Sequence, residues 1–123
     1  MKIRYKALLI STVLLLFLDF IFILHSAESF QLMVIRIQRV VLELRYSALV
    51  LCYIALIFGL NYFIIQPKRS VTDAFILGLF TYFIYEITNY ATLKKWSPIF
   101  VIKDTLWGGI YFALTTYITY QLE

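Results

Sequence analysis

Four long runs of apolar residues are the feature that most restricts how this 123-residue chain can fold. The runs cover about residues 7–24, 47–65, 74–90 and 99–120. Each is close to the roughly 20 residues that a helix needs to cross a hydrocarbon core about 30 Å thick. With 63% hydrophobic and 15% charged residues, the chain is also too apolar for a soluble domain. The sequence therefore predicts an all-α, four-span transmembrane helix bundle forming one integral-membrane domain over residues 1–123.

Short polar linkers join the last three runs. The segment "QPKRS" follows the second run and "LKKWSP" follows the third, so we expect spans two to four to be antiparallel neighbours. The first run follows a basic stretch and therefore resembles a signal peptide. We favour a retained span, because the run is longer than a usual signal-peptide core and Asp19 interrupts it. Positive charges flank both membrane faces in nearly equal number, so the orientation stays open.

The segment at about residues 28–46, between the first two spans, predicts an amphipathic interfacial helix. At 100° per residue its apolar side chains gather on one face and its charged side chains on another. Arg39 and Glu43 are spaced for an ion pair across one helical turn. Three placements are open: on the membrane surface against anionic lipid, as an early start of the second span, or packed on the rim of the bundle.

Polar residues interrupt the apolar runs close to one membrane face. Because successive spans run in opposite directions, the ends of spans one and three meet the starts of spans two and four at that face. Asp19, Glu86, Asn89 and Asp104 all lie near it. An ionised acid in mid-bilayer costs roughly 2.5–3.5 kcal/mol on insertion scales, so we expect these side chains to face the bundle. They form the predicted site for a small ligand, a lipid or a proton.

Neighbouring residues are expected to support this site. They are Thr92, Lys94, Trp96, Trp107 and Gly108. Lys94 and Trp96 lie in the linker that caps the face, and Gly108 permits another helix to approach closely. Each residue also has a purely structural interpretation: Asp19 accepts bonds from a neighbour, Asn89 joins two helices, and the lysine and tryptophans anchor the chain at the interface.

Catalytic, metal-binding and nucleic-acid functions find little support in the sequence. His25 is the single histidine and Cys52 the single cysteine, which excludes bis-histidine haem and a cysteine metal site. No phosphate-binding loop, nucleophile elbow or HExxH motif is present. The net charge of +4 comes from basic residues at the ends of apolar runs, where they contact lipid headgroups. We expect no cofactor, no metal, no nucleic-acid partner and a chain that is not an enzyme.

The run "YEITNYATLKKWSPIFVIKDTLWGG", with "FLDF" in the first span and "YFIIQP" closing the second, resembles the DUF2177 family of predicted multi-pass membrane proteins of bacteria and large viruses. The positions that carry the resemblance are Thr88, Asn89, Ala91, Thr92, Leu93, Lys94, Trp96, Asp104, Trp107 and Gly108. The chain departs from the family in having no proline between its first two spans. The resemblance implies four spans and the same polar residues, and it implies no particular activity.

Three functional hypotheses follow from these observations. The first is a site for a small ligand, a lipid or a proton, formed by the polar residues and gated by the "LKKWSP" linker. The second is a structural or accessory subunit of a larger membrane assembly, such as a virion membrane or an energy-converting complex, with other membrane subunits or further copies of the chain as partners. The third, an interfacial lipid enzyme using two acids with a metal or water, has the least support. Membrane lipids are the expected partners in every case.

Overall fold

The structure, a computed structural model, describes residues 3–38 and 45–123. Within those ranges the chain is helical and contains no strand. Four α-helices form: α1 (Tyr5–Gln38), α2 (Tyr46–Leu60), α3 (Val71–Thr92) and α4 (Pro98–Leu122). The prediction of an all-α fold is confirmed.

Helix α1 continues well beyond residue 24, where the first span was predicted to end. Its 34 residues measure about 51 Å at 1.5 Å per residue, much more than a hydrocarbon core of about 30 Å. The helix continues because no proline or glycine follows the apolar run before Gln38. Residues 28–38 of the predicted amphipathic segment are therefore the continuation of α1 beyond the candidate span Tyr5–Ser26, and they do not begin α2. Arg39 and Glu43, and the ion pair predicted between them, lie outside the described residues.

The extension of α1 packs on the rim of the bundle. Met33 is only 6% exposed and lies in an apolar cluster with Trp96 and Val101. Its sulfur accepts a hydrogen bond from the backbone N–H of Ser97 at 3.3 Å. These contacts pack this part of α1 against the linker before α4 and the first turn of α4.

Helix α2 ends in a π-helical turn, Asn61–Ile65, that is held by polar side chains. Asn61 donates to the Ser11 hydroxyl of α1 at 3.0 Å and accepts from the Gln66 amide at 3.2 Å. The chain then reverses at Lys68, whose φ of 57° lies in the left-handed region. Ser70 caps α3 by accepting from the backbone N–H of Asp73, and Ser97 caps α4 in the same way.

Helices α3 and α4 are in close backbone contact. A Cβ atom added at Gly78 would lie 2.1 Å from the carbonyl oxygen of Gly108, and one added at Gly108 would lie 2.3 Å from the ring of Tyr82. Small residues at such a crossing let two membrane helices approach closely. This contact sets which side chains of α3 and α4 face one another along the rest of their length.

The apolar core lies between α1, the end of α2 and α4. Leu15, Leu60 and Tyr111 are fully buried there. The Tyr111 hydroxyl donates to the carbonyl oxygen of Leu15 at 2.5 Å, which ties α4 to α1. The outer surface is apolar as well: large side chains more than half exposed include Leu9, Phe17, Phe20, Leu51, Phe58, Phe80 and Ile102. Such a surface suits lipid rather than water.

Three helices among the described residues are long and apolar enough to cross a membrane. The candidate spans are Tyr5–Ser26, Tyr46–Ile65 and Val71–Thr92. They correspond to the first three predicted spans. The fourth predicted span corresponds to α4, which is not among these candidates.

A polar cluster closes the end of the bundle where the chain starts. The backbone N–H of Arg4 donates to the Gln66 side chain at 2.7 Å, and its guanidinium pairs with the carboxylate of Glu123. The Tyr120 hydroxyl donates to the carbonyl oxygen of Arg69 at 2.7 Å. These bonds join the start of α1, the turn after α2 and the end of α4.

Candidate functional site

Three predicted site residues, each on a different helix, line one cavity. Asp19 of α1, Glu86 of α3 and Asp104 of α4 all belong to its wall, and α2 completes it. The cavity has a volume of about 480 Å³, within the range of roughly 300–1,000 Å³ typical of ligand pockets. Its other lining residues are Phe22, Ile23, Ser26, Phe30, Leu49, Cys52, Tyr53, Leu56, Thr81, Tyr82, Tyr85 and Phe100. The cavity is therefore mostly apolar, with a few polar groups.

Glu86 is the most deeply buried acid of the site. Its side chain has no exposed surface, and its Oε1 accepts a hydrogen bond from the indole N–H of Trp96 at 3.0 Å. The left-handed backbone at Lys95, with φ of 67°, turns the chain after α3 so that Trp96 can return to the helix end. The second carboxyl oxygen, Oε2, has no donor among the described residues. The tryptophan expected to anchor the interface thus binds a carboxyl group of the site.

Asp104 lies beside Glu86 because α3 and α4 are packed so closely. Both carboxyl groups belong to the wall of the same cavity, on two helices in close backbone contact. Asp104 is only 7% exposed, so water has little access to the pair. Because a carboxylate has no donor, the two groups can bond to each other only when one of them holds a proton. Two buried acids on neighbouring helices therefore make this wall a place where a proton or another cation would be stabilised.

Asp19 has a partner that the sequence did not indicate. It accepts a hydrogen bond from the hydroxyl of Tyr53 on α2. The indole N–H of Trp107 is also near Asp19, but it is buried and makes no hydrogen bond to the described residues. One signal could have identified Tyr53: it shares a helix face with Leu49, Cys52 and Leu56, which are spaced by three and four residues and all line the cavity.

The remaining predicted polar residues lie outside the cavity wall. Asn89 is half-buried and is nearer the end of α3 than Glu86. The exposed Thr92 donates its hydroxyl to the carbonyl oxygen of Thr88 in its own helix, at 2.8 Å. Lys94 is exposed in the linker. None of these three residues is among those that line the cavity.

Trp107 and Gly108 do not line the cavity but contact residues that do. The Trp107 ring stacks on Phe22 of α1, with ring centroids 4.8 Å apart, and on Tyr111 at 5.3 Å. Gly108 leaves room for the ring of Tyr82, which lines the cavity. The two residues thus position the aromatic side chains of Phe22 and Tyr82 in the cavity wall, rather than a polar group.

The charge of the lining is one-sided. Its described residues include three acids and no lysine, arginine or histidine. The Lys103 ammonium lies outside the lining, 6.0 Å from the centre of the Phe22 ring. No three His, Cys, Asp or Glu side chains of residues 3–38 and 45–123 are grouped closely enough to ligate one metal ion. The three acids therefore line one cavity without converging on a single point.

Comparison with known proteins gives one result. A family model described as "Predicted membrane protein (DUF2177)" matches residues 4–121, nearly the whole chain. No curated protein matches the chain, and no solved structure does. The match includes every residue of the cavity wall, so the cavity lies wholly within the family's domain. The chain belongs to the DUF2177 family of predicted membrane proteins.

Proposed function

We propose that this chain is a four-span membrane protein that binds a small, largely apolar ligand or part of a lipid in the cavity between its helices. The observation that carries the proposal is the cavity itself: about 480 Å³ of space, mostly apolar walls and a fully buried carboxyl group with one oxygen to which no described residue donates. Binding pockets for small molecules combine an apolar lining with a few polar groups in this way.

The length and burial of α4 support a fourth span. Its 25 residues measure about 38 Å, which is enough to cross a bilayer. Its polar residues are mostly buried against the other helices: Asp104, Thr115, Thr116 and Thr119 are each at most 7% exposed. A helix that turns its polar face inward can lie in lipid although its overall composition is less apolar. Cysteine labelling from each side of the membrane, at introduced cysteines before α3 and after α4, tests the topology.

Ligand binding is tested with the tryptophans of the protein as reporters. Only two tryptophans are present, so Trp107→Phe leaves Trp96, which is bonded to the cavity residue Glu86, as the single tryptophan. In lipid nanodiscs, brominated single-chain amphiphiles that enter the cavity should quench Trp96 saturably. A second experiment fills the cavity by Thr81→Trp in a protein that already carries Trp96→Phe and Trp107→Phe. This variant should bind less of a radiolabelled amphiphile than the matched protein in which Thr81 is intact. Quenching that rises linearly with probe concentration would mean simple partition into lipid.

Proton handling by the same carboxyl groups is a separate part of the proposal. The burial of Glu86 and Asp104 in the wall of one cavity favours it, because neighbouring carboxyl groups can share a proton. Proteoliposomes containing a pH-sensitive dye should show faster proton exchange with the wild-type chain than with Glu86→Gln or Asp19→Asn. Equal rates for all three proteins would remove this part while leaving ligand binding to its own test. Gel filtration in mild detergent addresses the accessory-subunit alternative, which requires a stable larger assembly.

A further inference from the structure

We propose that the cavity selects an amphiphilic organic cation, that is, an amine or quaternary ammonium group carried on an apolar body. The inference rests on the proposed function, since it names the chemical class of the ligand that the cavity binds. It is carried by the charge of the wall, by its aromatic surface and by an oxygen that no described residue satisfies.

The charge of the wall favours a cation over an anion or a neutral molecule. The lining has three carboxyl groups and no basic side chain among the described residues. Within a membrane an acid without a partner is costly, and a positive charge nearby reduces that cost. An anion would be repelled by the same groups. A neutral apolar molecule would fill the space but would leave the acids uncompensated.

Unsatisfied polar atoms mark where the head of the ligand would bind. Glu86 is fully buried, and its Oε2 receives no hydrogen bond from the described residues. Ser26, which is 4% exposed and also lines the cavity, has a hydroxyl without a partner among them. Buried polar atoms normally have a partner, so two unpartnered ones in the wall of a single cavity indicate a missing polar group. An ammonium group has only donors, which is what the carboxyl oxygen needs.

The aromatic wall suits an organic cation in particular. The aromatic side chains that line the space are Phe22, Phe30, Tyr53, Tyr82, Tyr85 and Phe100. Faces of such rings attract cations, and aromatic walls are a common way to recognise quaternary ammonium groups. An inorganic cation is a poorer fit, because it needs several oxygen ligands at one point and the described acids do not converge. The apolar residues Leu49 and Leu56 would contact the body of the ligand.

The test compares three probes that share one alkyl chain and differ only in head-group charge. They are brominated decyltrimethylammonium, brominated decyl maltoside and brominated decyl sulfate, added to neutral phosphatidylcholine nanodiscs that contain the Trp107→Phe protein. We expect saturable quenching of Trp96, with the cationic probe reaching half-saturation at a concentration at least about tenfold below that of the neutral probe. The anionic probe should bind most weakly.

Two acid-to-amide variants complete the test. Glu86→Gln keeps an oxygen that can accept from Trp96 but removes the charge, and it should bring the cationic and neutral probes to within about threefold of each other. Glu28→Gln makes the same charge change at an exposed position of α1 and should leave the preference intact. If Glu86→Gln is not helical by circular dichroism, Asp104→Asn provides the same comparison.

The outcomes separate the inference from the proposed function. Saturable binding of the cationic and neutral probes with equal affinity would overturn the inference and leave a ligand-binding cavity. If none of the three probes binds saturably, both the inference and the proposed ligand-binding function are overturned. An equal loss of preference in Glu28→Gln would also overturn the inference, because it would place the selectivity at the protein surface. A preference that Glu86→Gln abolishes and Glu28→Gln retains supports it.

Discussion

Replacing Gly78 with alanine should separate α3 from α4 and destabilise the protein. The new Cβ would lie 2.1 Å from the carbonyl oxygen of Gly108 and 2.7 Å from the carbonyl carbon, whereas ordinary contact begins at 3.4 Å. The shortfall of about 1.3 Å falls on backbone atoms of a helix, which cannot rotate away as a side chain can. The two helices must therefore move apart at their closest point.

The size of the effect can be worked out from two opposing terms. Overpacking a well-packed contact costs about 1–3 kcal/mol, and a clash with backbone belongs at the upper end of that range. Alanine is favoured over glycine inside a helix by about 1 kcal/mol. We therefore expect a net loss of about 2 kcal/mol in the free energy of unfolding. The separation should also move Glu86 away from Asp104, because the two acids lie on these two helices.

Reversible unfolding by sodium dodecyl sulfate in mixed micelles, followed by circular dichroism, measures this loss. Gly59→Ala is the matched control, because no atom of the described residues lies within 4 Å of a Cβ added there. That variant should be unchanged or more stable by up to about 1 kcal/mol. Gly109→Ala should fall between the two, since its new Cβ meets flexible side chains at 2.8–2.9 Å. Equal stability of the Gly78 and Gly59 variants would refute the close helix contact.

Three further substitutions test individual hydrogen bonds by the same unfolding measurement. Trp96→Phe leaves the buried Glu86 Oε1 without its donor and should cost about 1–3 kcal/mol. The same loss is expected for Tyr53→Phe, and it should shrink when Asp19 is already replaced by leucine, because the acceptor is then gone. Asn61→Leu removes the bonds that hold the π-helical turn and should cost about 0.6–1.7 kcal/mol. An unchanged midpoint for any of these variants would contradict the bond concerned.

The sequence alone was sufficient to predict the class of protein and the positions of α2, α3 and α4. Membrane insertion depends on the length and composition of each apolar run, and both are local properties. The predicted second and third spans, residues 47–65 and 74–90, lie within the candidate spans Tyr46–Ile65 and Val71–Thr92. The alternating direction of successive spans also indicated that Asp19, Glu86 and Asp104 lie near one face, and the structure places all three around one cavity.

The contacts of those residues were decided only by the tertiary structure. Trp96 donates to Glu86, Tyr53 donates to Asp19, and Asn89 lies outside the cavity wall. All three facts depend on how far each helix is rotated about its axis. Helix rotation is set by packing between residues far apart in the chain, such as Gly78 and Gly108, rather than by hydropathy.

The length of α1 shows the same division. The end of its apolar run was visible in the sequence, and no proline or glycine stops the helix before Gln38. The packing of Met33 against Trp96 and Val101, in contrast, is visible only in the tertiary structure. Composition thus indicated which segments are suited to the membrane, because the free energy of transferring a segment from water to lipid depends on the residues of that segment. The cavity and its acid contacts required the tertiary structure, because they exist only where several helices meet.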